Sequence, residues 1–333
     1  MIRIGVIGYG YWGPNIVRNL RSLEGCQVAA VCDQSPAALK RVKQAYPDQP
    51  VTEQSADLLT SAQIDAIAVV TPVCTHFELA KAALENGKHV FVEKPFTSTT
   101  QQAEELIELA ERKHLTIMVD HTFLFTGAVR KIRQLIDEGV LGDLYYYDST
   151  RVNLGLFQHD VSVVWDLAPH DLAIMDFLIQ EKPDAVVATG QAHLNGLVDV
   201  AFITIYFPSN TIAHVNVNWL SPVKVRTTLI GGEKKMLVWN DVEADEKIKV
   251  YDKGVEMNNG HGLHDLLVSY RAGDMWAPRV EQAEALKVEL NYFIDCVTKN
   301  QTPLNDGVAG SRVVKLLEAA DQSLRERGRA VQL

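Results

Sequence analysis

Near the N-terminus, the apolar run Ile2–Ile7 leads directly into Gly8-Tyr9-Gly10-Tyr11-Trp12-Gly13, and Pro14 follows. A G-x-G-x-x-G turn between a strand and a helix admits few folds. Gly8 makes the tight turn, Gly10 lets backbone approach a pyrophosphate, and Gly13 lets the helix pack on the strand. Pro14 suits the first turn of that helix, whose free N–H groups and dipole face phosphate charge. A second strand, Gln27–Cys32, ends at Asp33, twenty residues past Gly13, where an acid is expected to hold an adenosine ribose. Gln34 and Ser35 follow, with no arginine to neutralise a 2′-phosphate, which favours NAD over NADP. The bland alternative is a doubly wound fold without a cofactor.

Strand and helix signals then alternate. A helix from about Pro36 to Ala45, a weak strand near Val51 and a short helix near Ala56–Thr60 precede two buried strands, Ile64–Val70 and Lys88–Val92, which flank a helix from about Thr75 to Asn86. Each of these strands stops at a proline turn, Thr71-Pro72 and Glu93-Lys94-Pro95. Ligands of open parallel sheets sit beyond the carboxyl ends of the strands, so both turns are expected to face one crevice. A helix from about Thr99 to Lys113 and the strand Leu115–Val119 complete six strands, of expected order 3-2-1-4-5-6. The first domain, an α/β Rossmann domain, is therefore read as residues 1–120.

Residues 121–333 read differently. Gly127–Glu138 has helical spacing ended by Gly139, Leu144–Asn153 is β-rich, and Val161–Ile179 is apolar and helical but carries Pro169, which is expected to kink it or start a new turn. Six closely spaced strands follow between Ala185 and Tyr251, with hairpin turns at Pro208-Ser209-Asn210 and Gly231-Gly232. Such spacing predicts an α+β domain with a large, mostly antiparallel open sheet. Asp252–Arg279 shows no period and reads as a long functional loop. Glu281–Lys299 and Gly307–Arg327 read as amphipathic helices.

Composition narrows the classes. A net charge of -10 with dispersed basic residues disfavours nucleic acid and anionic membranes as partners. No apolar run is long enough to span a bilayer, and Met1–Gly8 lacks a signal-peptide layout. Cys26, Cys32, Cys74 and Cys296 are scattered, which fits reduced core thiols of a cytoplasmic protein and no zinc site. His76, His159 and His170 have no recognisable ligand spacing, so no metal is expected.

Asp166 and His170, at i and i+4, share a helical face if the helix continues through Pro169. A histidine oriented by a carboxylate can act as a general base near neutral pH; spacing alone equally describes a histidine satisfied by a neighbouring acid. Lys94 at a strand end reads either as a catalytic ammonium or as a surface lysine closing a turn. Asp171 and Asp176 read as capping or exposed acids.

Gly8-x-Gly10-x-x-Gly13, Thr71-Pro72-x-x-x-His76, Glu93-Lys94-Pro95, Asp166-x-x-x-His170 and the closing Gly307-x-x-Gly310 occur in this order. Together they resemble the glucose–fructose oxidoreductase / inositol dehydrogenase (Gfo/Idh/MocA) family over essentially the whole chain. The resemblance implies an NAD-dependent oxidoreductase acting on CH–OH groups. Hydride would pass from a secondary alcohol carbon to nicotinamide, with Lys94, His170 and Asp166 at the substrate end of the pocket and a cis Lys94–Pro95 peptide. It further implies Tyr11, Trp12, Thr71, Pro72, His76 and Glu93 as cofactor-side residues, and a homodimer or homotetramer formed through the C-terminal sheet. Asp120-His121-Thr122-Phe123, Arg151-Val152-Asn153-Leu154-Gly155 and Trp165–Asp171 resemble the nucleotide-sugar 3-dehydrogenase branch. The substrate expected from that branch is UDP-N-acetylglucosamine, with its uronate, an inositol or a monosaccharide as alternatives. A regulator of the same fold that senses NAD without catalysis is the non-enzyme alternative, disfavoured by the presence of both Lys94 and His170. Arg151 and Asn153 alternate on one strand and point the same way. Arg151 reads equally as a contact to a diphosphate or carboxylate and as a surface residue paired with an acid.

Overall fold

The computed structural model describes residues 1–155, 157–259 and 266–333. They form two compact units, Met1–Phe125 with Ala283–Glu318, and Thr126–Gln282 with Ala319–Leu333.

In the first unit, β1 (Ile2–Ile7), β2 (Cys26–Cys32), β3 (Val51–Thr52), β4 (Ala66–Val69), β5 (His89–Val92) and β6 (Ile117–Val119) form one sheet of order β3-β2-β1-β4-β5-β6. Every pairing in it is parallel. This is the order expected from alternation, and β4 and β6 are buried along their whole length, as strands covered on both faces must be. The crossovers are α1 (Gly13–Arg21), α2 (Pro36–Ala45), α3 (Ser55–Leu59), α4 (His76–Glu85) and α5 (Thr100–Lys113). Local chemistry starts them: Ser35 and Thr99 accept from the N–H groups of Ala38 and Gln102, and Pro36 opens α2. Arg3 clamps β1 to the start of β4, its guanidinium and backbone N–H both bonding Asp65.

The second unit contains α6 (Gly127–Asp137), β7 (Leu144–Leu154) and α7 (Val163–Leu178). Its remaining strands are β8 (Ala185–Gln191), β9 (Val200–Tyr206), β10 (Ile212–Asn218), β11 (Leu220–Gly232), β12 (Met236–Asn240), β13 (Ile248–Asn259) and β14 (Leu266–Trp276). They build a nine-stranded sheet of order β14-β13-β12-β11-β7-β10-β9-β8-β15, where β15 is Val331–Gln332. Only β10 and β7 pair in parallel; the other neighbours are antiparallel. Alternate residues of β9 and β10 are buried, among them Ala201, Ile203, Ile205, Ala213, Val215 and Val217. The intervening Phe202, Tyr206 and Ile212 are exposed, which is the alternation of a sheet with one covered face.

Several expectations are corrected. Most of 252–279 is not a loop: β13 and β14 form a long antiparallel hairpin there, and only its residues 260–265 lie outside the described residues. Its mixed polarity hid the strand period. Gly231 and Gly232 do not make a hairpin turn but end β11, with the turn at Glu233–Lys235. α7 runs unbroken through Pro169. Finally, α8 (Ala285–Lys299) and the first part of α9 (Gly307–Arg325) belong to the first unit, not to the domain read as 121–333.

Candidate active site

The glycine turn follows β1. Gly8 has φ +104°, and a Cβ there would lie 2.1 Å from the Val70 carbonyl oxygen; one on Gly13 would lie 2.4 Å from the Gly8 oxygen. Only glycine serves at either place. Gly10 is different, since a Cβ there would meet nothing within 4 Å. Its backbone is exposed and uncovered, the surface a pyrophosphate needs in order to lie against the chain. Asp33, at the end of β2, accepts from Tyr9 N–H at 2.7 Å and from Ser35 N–H at 2.8 Å. The carboxylate therefore stands at the turn, as a ribose-binding acid should. Arg41, missed in the sequence, reaches back from α2 to the Tyr9 carbonyl at 2.8 Å. These residues fit a bound dinucleotide.

The two proline turns lie at the same edge of the sheet. Lys94–Pro95 is cis, and Glu93 Oε2 accepts from Lys94 N–H at 2.5 Å. His76 is fully buried, its Nδ1 2.8 Å from the Pro95 carbonyl and its Nε2 2.8 Å from the Thr71 carbonyl. It is therefore a clamp between the turns after β4 and β5 and not a pocket wall, correcting the cofactor-side reading. Burial, with a smaller push from the Lys94 charge, keeps its pKa below the ordinary value despite the two carbonyls. Thr71 Oγ1 accepts from Thr75 Oγ1 at 2.6 Å, which shapes the half-exposed Thr71-Pro72 corner.

A cluster that sequence reasoning did not assemble lies after β6. Asp120 accepts from the Trp12 indole N–H at 3.1 Å. Thr122 Oγ1 contacts Asp120 Oδ1, and Glu289 Oε2 at 2.7 Å. Asn305 Nδ2 donates to Glu289 Oε1 at 2.9 Å. Burial raises the pKa of both acids. His121, buried beside them, has both ring nitrogens without a hydrogen-bond partner among the described residues. Burial first, and the Lys94 charge second, push its pKa down to about 3, so it is neutral. No signal in the sequence links residue 120 to residue 289; only the fold does.

In the second unit, α7 carries Asp166 and His170, both half-buried, on one face. Asp166 Oδ2 accepts from the Trp219 indole at 3.2 Å, and Phe157 packs on Trp219 with ring centroids 5.4 Å apart. The next residue along, Asp171, is 2% exposed and so neither capping nor exposed. It takes Arg151 Nε at 2.5 Å and Ser149 Oγ at 2.6 Å. Arg151, 3% exposed, is thus an interior ion-pair member and not a surface residue. Asn153 is half-buried near the end of β7.

An NAD-binding Rossmann unit and an α+β unit with a large mixed sheet make up the chain, and the family and relatives it matches make it an NAD-dependent oxidoreductase acting on CH–OH groups. The family model for the NAD-binding Rossmann domain of the oxidoreductase family matches residues 2–121, and the GFO/IDH/MocA C-terminal domain matches residues 129–238. The chain belongs to the Gfo/Idh/MocA family. It is 27% identical over 327 residues to UDP-N-acetylglucosamine 3-dehydrogenase of Acidithiobacillus ferrooxidans, covering 94% of each chain. A solved structure of that enzyme superposes with TM-score 0.81 at 25% identity, covering 98% of each chain. Scyllo-inositol 2-dehydrogenase (NAD(+)) of Bacillus subtilis is 25% identical over 346 residues, covering 100% of this chain and 96% of the relative. Scyllo-inositol dehydrogenase of Lactobacillus casei, solved with NAD(H) and scyllo-inositol, shares the fold at TM-score 0.81 and 21% identity, covering 99% of this chain and 98% of that one.

Proposed function

We propose that this protein oxidises the 3-hydroxyl of UDP-N-acetylglucosamine to a ketone. The observation carrying this reading is its end-to-end similarity to UDP-N-acetylglucosamine 3-dehydrogenase. Bound NAD supplies the acceptor for the hydride lost from the alcohol carbon. Lys94 hydrogen-bonds the hydroxyl oxygen and stabilises the negative charge that develops on it. His170 takes the hydroxyl proton, and Asp166, itself held by Trp219, orients the imidazole. Around NAD, Gly10 with Tyr11 and Trp12 meets the pyrophosphate, Asp33 holds the ribose, and Thr71, Pro72 and Glu93 border the nicotinamide end. Asn153 is a substrate contact, whereas Arg151, buried against Asp171, acts through α7.

A second reading, inositol oxidation, is favoured by the full-length likeness to scyllo-inositol 2-dehydrogenase. The two are separated by following reduced-nicotinamide absorbance with NAD and, in turn, UDP-N-acetylglucosamine, its uronate, myo-inositol, scyllo-inositol and glucose. Turnover at least tenfold faster with UDP-N-acetylglucosamine is expected; faster turnover of an inositol would replace this reading with the second. K94A and H170A are each expected to lose about a hundredfold or more in kcat while keeping NAD affinity.

The four cysteines are free thiols, and among the described residues no helix is long and apolar enough to cross a membrane. The free thiols support a cytoplasmic setting. The exposed Phe202, Tyr206 and Ile212 on the uncovered sheet face support self-association into a dimer or tetramer through that face.

A further inference from the structure

The loop between β8 and β9 carries a histidine–carboxylate pair at the sheet end where α7 begins. Asp199 is wholly buried; its Oδ2 accepts from the His193 backbone N–H at 2.8 Å, and its Oδ1 lies 2.6 Å from His193 Nδ1. The imidazole itself is half exposed. Burial pushes the Asp199 pKa up, but the bonds from His193 and from the Leu194 N–H outweigh it and hold the acid below its ordinary value. Asp199 is therefore an ionised acceptor at neutral pH, and the hydrogen between the two side chains sits on Nδ1.

The loop is pinned where it stands. Asp199 N–H donates to the Gln191 carbonyl at 3.1 Å, and Val163 N–H, at the start of α7, donates to the Val198 carbonyl at 2.9 Å. Asn195 accepts from Leu197 N–H and donates to the Gln158 carbonyl, each at 3.1 Å. Trp219 connects this pair to the proposed chemistry. Its backbone N–H donates to the Asp199 carbonyl at 3.0 Å, and its indole N–H donates to Asp166 at 3.2 Å. One tryptophan thus ties a fixed imidazole to the acid of the Asp166-x-x-x-His170 motif.

Closing the loop uses Nδ1 and leaves the other ring nitrogen over. Among the described residues, Nε2 has no hydrogen-bond partner. In the neutral ring it offers a lone pair, and in the protonated ring an N–H. A phosphate or carboxylate oxygen would satisfy only the second form, whereas a hydroxyl, both donor and acceptor, satisfies either. Sugars and polyols carry several hydroxyls, of which a dehydrogenase oxidises one.

We propose that His193, held by Asp199, is a specificity-determining residue whose Nε2 hydrogen-bonds a sugar or polyol hydroxyl other than the one oxidised. Asp199 is its positioning residue. This inference rests on the reading of Asp166 and His170 as the substrate end of the site.

Asparagine at position 193 tests it, because its amide still donates to Asp199 from the place of Nδ1 but has nothing at Nε2. In H193N the KM for UDP-N-acetylglucosamine, or for scyllo-inositol if that is turned over faster, rises about tenfold. Its kcat, NAD affinity and Tm stay at wild-type values. H193Q, whose longer amide reaches the place of Nε2, keeps a KM closer to wild type but has a lower Tm, since Asp199 loses its side-chain donor. A second readout needs no turnover: 15N NMR of histidine-labelled wild-type protein with NADH, in which the same substrate shifts the His193 Nε2 resonance, assigned by its absence in H193Q. A KM in H193N within about twofold of wild type, a fall in kcat without a rise in KM, or an Nε2 resonance that substrate leaves in place would overturn the proposal. H170A with wild-type kcat would remove the reading of the site, whereas an inactive H170A beside an H193N of unchanged KM would remove this inference alone.

Discussion

Gly8 and Gly10 stand two residues apart and answer different needs. A side chain at Gly8 would drive into the Val70 carbonyl and take a left-handed backbone angle, so G8A should lose several kcal/mol of stability or fail to fold. At Gly10 the same methyl meets only open space. G10A is therefore expected to stay within about 0.5 kcal/mol of wild type in urea unfolding, yet to weaken NAD binding at least tenfold by calorimetry, because the methyl occupies the approach to the pyrophosphate. Equal loss in both measurements would show that Gly10 serves the fold and not the ligand. Glu289 gives a residue-scale prediction of another kind. Its folded pKa lies above the ordinary 4.5, so above that pH the native protein retains a proton that the unfolded chain has released. Stability contributed by that proton is full below pH 4.5 and is lost as pH rises towards the folded pKa. E289Q has no such loss, so its Tm relative to wild type should climb as pH is raised through this window. A constant difference across pH would mean that the two states share one pKa.

Among the elements, α7 is held to its sheet by a buried ion pair. Asp171 ties it to β7 through Arg151, Ser149 and the Tyr147 hydroxyl, which donates to the Asp171 backbone carbonyl at 3.2 Å. Arg226 of β11 pairs in register with Arg151, and its own countercharge, Asp241, is 3.4 Å away. Like charges facing across strands are unfavourable, and burial together with the Arg151 charge depresses the Arg226 pKa. D171N would leave Arg151 buried against that neighbour without its carboxylate, and should cost about 3 kcal/mol in chemical denaturation. A loss below about 1 kcal/mol would show that the pair is dispensable. Pairing of Arg151 with an acid was one of two readings open in the chain, but neither its burial nor its partner was readable. Helical spacing located α7, and the Asp166-x-x-x-His170 motif marked its exposed chemistry, but nothing local distinguishes Asp171, which faces the sheet, from an acid facing water. β1, β4 and β5 were legible because each is a nearly unbroken apolar run closed by a glycine or proline turn, whereas β3 is only Val51–Thr52 and β6 runs straight into Asp120 and His121. The β13–β14 hairpin was not legible, because Asp252, Lys253 and Gly254 interrupt its apolar alternation.

At the scale of the molecule, the uncovered face of the nine-stranded sheet should govern assembly. Replacing Phe202 and Tyr206 together by aspartate adds charge to two exposed aromatic positions and is expected to yield monomers in sedimentation while leaving NAD binding intact. Unchanged association would move the interface elsewhere. The first unit also takes up chain from far down the sequence. Met118 of β6 bridges Asp306, Val119 N–H donates to the Asn305 carbonyl at 2.9 Å, and Phe91 packs against Phe293 with centroids 5.7 Å apart. Domains emerging first from the ribosome generally fold first. Here the leading 125 residues lack the segment Ala283–Glu318 that closes their outer strand, so the nucleotide-binding half can be finished only after nearly all of the polypeptide has been synthesised. A nascent chain paused before residue 283 should therefore remain sensitive to protease in its N-terminal half and bind NAD poorly.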